Sequence, residues 1–358
     1  MNVKNCLLIF RNKKINDFDI INKRIFNFAA DGIYFDRVEY CAYDDSEEIT
    51  RSMRESKCSY SNIILLCPKA MEEMLKSFAE KLFEGQFDNF GVMTTENVNV
   101  FVLISDGDGK LKEQDIVDIF TKKYGQGYGK AYVKTVGAPF TAVNAAIAKS
   151  KALSPECDFN VRGRFSDYAI EIVYPYNLSK NLYDNVYRTL IASLNDYVYA
   201  IENVSLAERL FQLLKLRRMK ISVAESFTGG GIAKRLVDIP GISEVYFEGL
   251  NTYSNESKIK RLGVNELTLK QYGAVSEETA YQMAEGLLKT GDCDISIATT
   301  GIAGPKSDST SKPVGLLYIG VGTEESISVY KYELKGNREQ ITETAINLAL
   351  FLAFKKIK

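Results

Sequence analysis

The 358-residue sequence contains no histidine. That absence removes a Ser-His-Asp or Cys-His triad, histidine-ligated zinc and any imidazole base, so a general base here has to be lysine, carboxylate or tyrosine. There is also no run of about 18 apolar residues, and no cationic start leading into an apolar stretch and cleavage site. Membrane spanning and export are therefore not expected, and the chain reads as cytoplasmic. Charge of one sign is missing too: 45 Lys+Arg against 46 Asp+Glu leave −1, so no bulk field draws the protein to nucleic acid or anionic lipid. The six cysteines (Cys6, Cys41, Cys58, Cys67, Cys157, Cys293) form no CxxC pair and read as reduced thiols rather than disulfides or zinc ligands. No internal repeat and no low-complexity segment breaks the chain.

What is present is an alternation of elements. Short apolar runs at 6–10, 62–67 and 98–104, separated by helical stretches such as 68–83, predict an α/β layer over residues 1–130. Residues 131–204 predict a small α+β module with a strand, a helix around 142–149, a strand pair between 159 and 174, and a helix over 179–194. Residues 205–216 read as a linking helix at the head of a third, α/β domain, 205–358. Asp106-Gly107-Asp108-Gly109 reads as a hairpin turn and not a calcium loop, because Lys110 and Val117 occupy positions where that loop needs ligands.

The candidate chemistry lies after residue 220. A short β-rich run, 221–224, leads into Glu225-Ser226-Phe227-Thr228-Gly229-Gly230-Gly231 and an amphipathic stretch, 232–237, which puts Ser226 at a strand-to-helix turn. Glycines let the backbone approach a ligand, and free N–H groups at the helix start suit a developing oxyanion. An isolated serine at such a turn can equally be a helix cap. Downstream, Tyr253-Ser254-Asn255 precedes a helix over 256–261 with Asn255 as its expected N-cap, which places Lys258 in the first turn. Lys258 is either a solvated charge or, in a chain without histidine, the partner of a nucleophilic serine. Base chemistry would require a lowered pKa, which partial burial beside Tyr253 and a positive helix end would favour. Ser276 starts a helix ending at Thr290-Gly291 that reads as structural. A second strand, 295–298, feeds the glycine loop Thr299-Thr300-Gly301-Ile302-Ala303-Gly304-Pro305, and Arg338 opens a long amphipathic C-terminal helix. Arg338 is either an exposed charge or a fork for phosphate or carboxylate.

Taken together, Ala224-Glu225-Ser226-x-Thr228-Gly229-Gly230, Tyr253-Ser254-Asn255-x-x-Lys258, Leu262-Gly263-Val264, Tyr272-Gly273-Ala274-Val275-Ser276, Thr300-Gly301-Ile302-Ala303-Gly304-Pro305 and Lys312-Pro313-Val314-Gly315 closely resemble the C-terminal domain of the competence/damage-inducible CinA family. The resemblance implies an amidohydrolase that deamidates nicotinamide mononucleotide in pyridine nucleotide salvage, without metal or cofactor. It implies Ser226 as nucleophile beside Lys258 and Tyr253, and Thr228, Gly229, Gly230, Thr300, Gly301 and Arg338 around the substrate. The family often has Cys where this chain has Phe227, so that position is not expected to matter to the chemistry. A homodimer or larger homo-oligomer is also implied.

Lys134-Thr135-Val136-Gly137 and Asp196-Tyr197-Val198-Tyr199-Ala200 resemble the KH-like middle module of full-length members. The family's N-terminal domain resembles molybdopterin-binding domains and carries a metal-dependent ADP-ribose pyrophosphatase. Here Phe10-Arg11-Asn12-Lys13-Lys14 and Cys67-Pro68-Lys69-Ala70-Met71 stand where its Gly-Thr-Glu and Gly-Gly-Leu-Gly-Pro-Thr motifs belong. Glycines that let amides reach a phosphate are gone from both places. The domain is therefore expected to be a degenerate scaffold or oligomerisation unit, with a surviving pyrophosphatase as the alternative. A nucleic-acid-associated scaffold, suggested by the KH-like module and by Lys4, Arg11, Lys13 and Lys14, is the other alternative. It is weakened because Val161-Arg162-Gly163-Arg164 supplies one glycine of the Gly-x-x-Gly clamp.

Overall fold

A computed structural model describes residues 3–11, 18–42, 44–106, 109–124, 127–306 and 311–358. The chain is α/β and forms two compact units, Met1–Gly129 with Tyr174–Ser179, and Lys130–Val173 with Lys180–Lys358.

In the first unit, strands β1 (Asn5–Arg11), β2 (Arg37–Ala42), β3 (Asn62–Cys67), β4 (Val92–Thr94) and β5 (Asn99–Ile104) alternate with helices α1 (Phe18–Ala30), α2 (Ser46–Ser59), α3 (Glu72–Phe83) and α4 (Glu113–Tyr124). The strand order is β2-β1-β3-β5-β4, parallel except for antiparallel β4. Met53, Leu75 and Phe83 from α2 and α3 pack on one face, and Phe28, Ile116 and Phe120 from α1 and α4 on the other. Burial on both faces is why β1 and β3 read as unbroken apolar runs. Their register is marked by polar residues: Asn5, Asn62 and Asn99 stand opposite one another at the strand starts. Asn62 donates to Asn5 Oδ1 (2.9 Å) and Asn99 to Asn62 Oδ1 (2.7 Å), a buried amide ladder that only the observed register satisfies.

Two expectations for this unit need correction. The stretch 68–83 begins with a separate 3-10 turn, Lys69–Met71, before α3. The predicted hairpin at Asp106–Gly109 includes Gly107 and Asp108, which lie outside the described residues, and the next element is α4, so the connection runs from strand to helix. Acidic Glu113 and Asp115 in the first turn, with Asp115 accepting from the Lys112 N–H, favour the helix start. The six cysteines are free thiols, five of them buried. Burial pushes Cys67 up to about 12 and Cys41 to about 11, away from the reactive thiolate.

The second unit begins with β6 (Tyr128–Val136), α5 (Phe140–Lys151), β7 (Asp158–Arg164), β8 (Asp167–Pro175), α6 (Lys180–Leu194) and β9 (Val198–Ala200), forming a sheet of order β7-β8-β6-β9. Val161-Arg162-Gly163-Arg164 lies within strand β7 and not in a clamp loop. The chain continues through α7 (Leu206–Arg217), β10 (Ile221–Glu225), α8 (Gly231–Val237), β11 (Tyr246–Asn251), α9 (Asn255–Leu262), α10 (Glu266–Tyr272), α11 (Glu277–Leu288), β12 (Ile295–Gly301), β13 (Leu316–Thr323), β14 (Ile327–Glu333) and α12 (Arg338–Ile357). Its sheet runs β11-β10-β12-β13-β14; the first three strands are parallel and the last two join antiparallel. Leu210, Leu214, Ile232 and Phe351 from α7, α8 and α12 cover one face, and Leu262, Met283 and Leu287 from α9 and α11 the other.

The core is continuous across residue 205. Val136, Tyr199 and Ala200 share one core with Leu206, Leu210, Leu214 and α12, so α7 is a core helix and not a linker. A capping box of Ser205 and Glu208 sets its start. Helix α12 is likewise not amphipathic along its length: residues 345–354 are all buried. Buried Asn347 on α12 donates to the carbonyl of Phe165 (3.0 Å) and accepts from Arg235 of α8 (2.5 Å). Phe165 and Ser166, at φ +55° and +61°, form the turn between β7 and β8.

Helices α9 and α11 approach closely at Gly286, where a Cβ would stand 2.1 Å from the Leu262 carbonyl oxygen. Gly286→Ala must push α9 off α11, and is expected to lower the stability of the folded chain by about 1–3 kcal/mol. Urea unfolding of the two proteins measures this; an unchanged midpoint would mean the helices separate freely.

Candidate active site at the end of a buried strand

Strand β10 lies between β11 and β12, parallel to both and wholly buried, and its chain emerges at the C-terminal edge into residues 226–230 before α8. Ser226 stands at this edge, 8% exposed, and its N–H donates to the Thr299 carbonyl at the end of β12 (3.1 Å). The next edge strand, β11, ends at Asn251, and α9 follows within four residues. Its N-cap is Ser254, whose hydroxyl accepts from the Ser257 N–H, so Asn255 is the first helical residue and not the expected cap. A serine oxygen one residue earlier reaches the third amide of the helix, which gives the same capping bond from a different residue. Lys258 then points inward and is 1% exposed.

Lys258 Nζ lies 3.0 Å from Ser226 Oγ, 2.8 Å from the Thr252 carbonyl oxygen and 3.2 Å from that of Tyr253. Burial lowers its pKa from the ordinary 10.5 to about 8. With the amine neutral, its two N–H bonds meet the two carbonyls, and the lone pair takes the remaining direction, toward the serine hydroxyl. Tyr253 therefore contributes its main chain; its side chain is 65% exposed.

The glycines after the serine have different reasons. Gly229 and Gly230 hold φ of +63° and +96°, and nothing lies within 4 Å of a Cβ on either, so the backbone is open there. Gly231 instead makes room for Ile346 of α12, which a Cβ would meet at 2.4 Å. The expected free amides at the helix start are not free. The Glu225 carboxylate accepts from Gly230 N (3.0 Å), Ile232 N (3.1 Å) and Ala233 N (2.8 Å). Gly229 N donates to the Ser226 carbonyl and Gly231 N to that of Thr228. Among the described residues, none accepts from the N–H of Phe227 or Thr228.

The remaining candidates are fixed internally. The Thr228 hydroxyl pairs with that of Thr299 (2.7 Å), and Thr300 Oγ1 donates to the Ala274 carbonyl (2.6 Å). Gly301 accommodates Leu317 and Phe227, which a Cβ would meet at 2.6 and 3.0 Å. Exposed Arg338 is the first residue of α12 and donates to the Gly304 carbonyl (2.8 Å), tying that helix to the second glycine loop. Lys312 donates to the carbonyls of Tyr272 and Val275. Ser226 and Lys258 thus meet directly, with Tyr253 joined through its carbonyl. Among the described residues, no hydrogen bond links Thr300 or Arg338 to that pair.

The description "CinA C-terminal domain" matches residues 203–357, which carry this entire arrangement. Residues 203–357 belong to the CinA family. A "Putative competence-damage inducible protein" of Alkaliphilus oremlandii is 33% identical over 302 residues, 82% of this chain and 64% of that protein. Another, of Caldicellulosiruptor saccharolyticus, is 43% identical over 56% of this chain and 47% of its own length. The crystal structure of competence/damage inducible protein CihA from Agrobacterium tumefaciens matches 42% of this chain and 93% of that one at 36% identity, with a TM-score of 0.40. The chain spans about half the length of the curated relatives it matches.

Two residues received no role from sequence: Glu225, which the first CinA motif contains, and Thr252, which precedes the second, through its carbonyl. The signal for Glu225 was available, since a carboxylate ending a wholly buried strand needs partners. Elsewhere, in the loop after β3, the Lys69 N–H is taken by Asp106 Oδ1 (2.6 Å). Of the basic residues near the start, Arg11 lies over the Tyr40 ring (5.2 Å), while Lys13 and Lys14 lie outside the described residues. Among the described residues no group of three or more acidic or cysteine side chains is placed to hold a metal ion, and no helix is long and apolar enough to cross a membrane.

Because Lys258 titrates near 8 when folded and near 10.5 when unfolded, the unfolded chain binds the extra proton between those values. The stability contribution of this residue therefore rises with pH across that window and is unfavourable below it. The displacement corresponds to about 3 kcal/mol. Urea unfolding of the wild type and of Lys258→Met, compared at pH 7 and at pH 10, is expected to shift in the wild type's favour by an amount approaching about 3 kcal/mol. An equal difference at both pH values would mean that the folded protein keeps the amine charged.

Proposed function

We propose that residues 205–358 hydrolyse the carboxamide of nicotinamide mononucleotide to nicotinate mononucleotide and ammonia, with Ser226 as nucleophile and Lys258 as its base. The observation that carries this reading is the 3.0 Å contact between the serine hydroxyl and a buried lysine amine whose pKa is lowered to about 8. The substrate follows from the CinA motifs and the five positions Ser226, Tyr253, Lys258, Thr300 and Arg338.

Neutral Lys258 accepts the Ser226 proton as Oγ attacks the carboxamide carbon. The oxyanion that forms is held by the Phe227 and Thr228 N–H groups, the amides of the turn left without acceptors. Lys258 returns the proton to the amide nitrogen, the C–N bond breaks, and ammonia leaves an acyl-serine. Water, deprotonated by the same lysine, attacks the acyl carbon, and nicotinate mononucleotide departs as Ser226 regains its proton. The Thr300 hydroxyl donates its hydrogen bond to the Ala274 carbonyl, so toward substrate it serves as an acceptor. Arg338 keeps guanidinium N–H groups beyond its bond to Gly304 and is assigned to the phosphate. No metal or cofactor enters these steps. The N-terminal unit is read as a scaffold, and the resemblance supports an assembly of two or more copies acting in pyridine nucleotide salvage.

Ammonia release from nicotinamide mononucleotide tests the reading. Ser226→Ala is expected to lower the rate by a factor of about a thousand or more, because nucleophile and base act as one unit. Substantial turnover by a folded Ser226→Ala protein would falsify the serine mechanism. Lys258→Arg is expected to be nearly as inactive as Lys258→Ala, since guanidinium keeps its proton in a protein. Retained activity in Lys258→Arg would instead make the lysine a fixed cation.

A further inference from the structure

The geometry points to Glu225 as the positioning residue of the nucleophile turn: by taking the first amides of α8 it anchors the far end of the loop that carries Ser226 and leaves Phe227 and Thr228 as the oxyanion donors. This rests on the serine-nucleophile reading above and adds a residue to it.

Glu225 is the last residue of β10 and is 1% exposed. A carboxylate buried to that degree is tolerated only with its lone pairs occupied. Oε2 accepts from Gly230 and Ile232, and Oε1 from Ala233, so both oxygens are engaged by main-chain N–H groups. The residue thus closes a ring from the strand end, through residues 226–230, back to itself. The near end of that loop is fixed by the Ser226 N–H on the Thr299 carbonyl. Its middle is held by Phe227, which lies in the core, and by the Thr228–Thr299 hydroxyl pair, whereas its far end, Gly229 and Gly230, meets nothing within 4 Å at the Cβ position. The carboxylate is therefore the tether of the glycine end: it fixes how residues 229–230 return to α8, and with it the course of the turn that carries Ser226 and the two free amides beside Lys258. Among the described residues it makes no hydrogen bond to Ser226 Oγ or Lys258 Nζ, which makes it a positioning and not a catalytic residue. Glutamine cannot replace it. A carboxamide has one oxygen and one NH2, so one of the two accepting sites would present N–H to N–H.

The test uses the full chain and a small alkyl phosphonofluoridate, which does not depend on the identity of the substrate. Ser226 Oγ forms a bond to phosphorus, the P–F bond breaks, fluoride leaves and Lys258 takes the proton; the mass added to the Ser226 peptide gives the rate. In Glu225→Gln, labelling is expected to slow about a hundredfold, the loss typical of a misplaced oxyanion donor. With nicotinamide mononucleotide, kcat should fall while KM stays within a few-fold. The pH midpoint of labelling should stay near 8, because burial alone lowers Lys258. A midpoint climbing toward 10.5 would show that the variant has opened the core around Lys258 and that Glu225 is merely structural. Labelling at the wild-type rate also overturns the proposal. If Glu225→Gln does not fold, Glu225→Asp, which keeps the charge but withdraws it by one methylene, is expected to slow labelling with the midpoint unmoved, and a wild-type rate there overturns the proposal. No labelling of Ser226 in the unsubstituted protein would remove the nucleophile and both readings together. Labelling without ammonia release would remove only the substrate, leaving the comparison of Glu225→Gln with the wild type to decide.

Discussion

An ammonium group is ordinarily kept in water by the large free energy of its hydration, and the C-terminal fold works against that preference. Lys258 sits in the first turn of α9, where its amine is enclosed beside Ser226 and the ends of β10 and β11. Taking the amine out of water weakens its hold on the proton, and a serine hydroxyl at hydrogen-bond distance makes the weakened proton affinity useful. The surrounding elements can be understood as conditions for that enclosure. Gly286 lets α9 close on α11, Ser254 fixes where α9 begins, and the parallel pairing of β10 with β11 and β12 brings the three strand ends to one edge.

Much of this was legible in the sequence, for identifiable reasons. Buried parallel strands appear as apolar runs, so 62–67 and 221–224 could be located by composition alone. The absence of histidine narrowed the choice of base to a few residue types, and the ordered motifs then selected Ser226 and Lys258. What could not be read was the destination of individual polar atoms. Asn255 and Ser254 are both good caps, and only the backbone path decides between them. Nothing in the residues 229–231 distinguishes two glycines needed for positive φ from a third needed for Ile346. The amides at the start of α8 read as free because Glu225, five to eight residues earlier, reaches them only once the turn is formed. The core shared by Val136, Tyr199 and Ala200 with α7 and α12 is likewise a long-range fact that no local pattern announces.

The first unit keeps the residues that hold its sheet apart from its loops. Its sheet is held by two apolar faces and by the ladder of Asn5, Asn62 and Asn99, all of which lie in the layer or at the opposite edge from the loops that follow β1 and β3. Stability and register are therefore independent of whether those loops can receive a phosphate. After β3 the first main-chain amide, that of Lys69, faces the Asp106 carboxylate. An acidic side chain already occupies the place where a ligand's anionic oxygen would have to bind.

The two acceptors that hold the Lys258 amine, the carbonyls of Thr252 and Tyr253, belong to the main chain. Every amino acid carries that carbonyl, so the cradle is encoded by the path of the polypeptide and not by the identities of the two residues. Substituting either side chain leaves the acceptors in place, whereas inserting or deleting a single residue between β11 and α9 would rotate both carbonyls away. The alignment of this amine is thus tolerant of point mutation and intolerant of changes in loop length, which makes the spacing between the end of β11 and Lys258, more than the letters within it, the quantity that marks this arrangement.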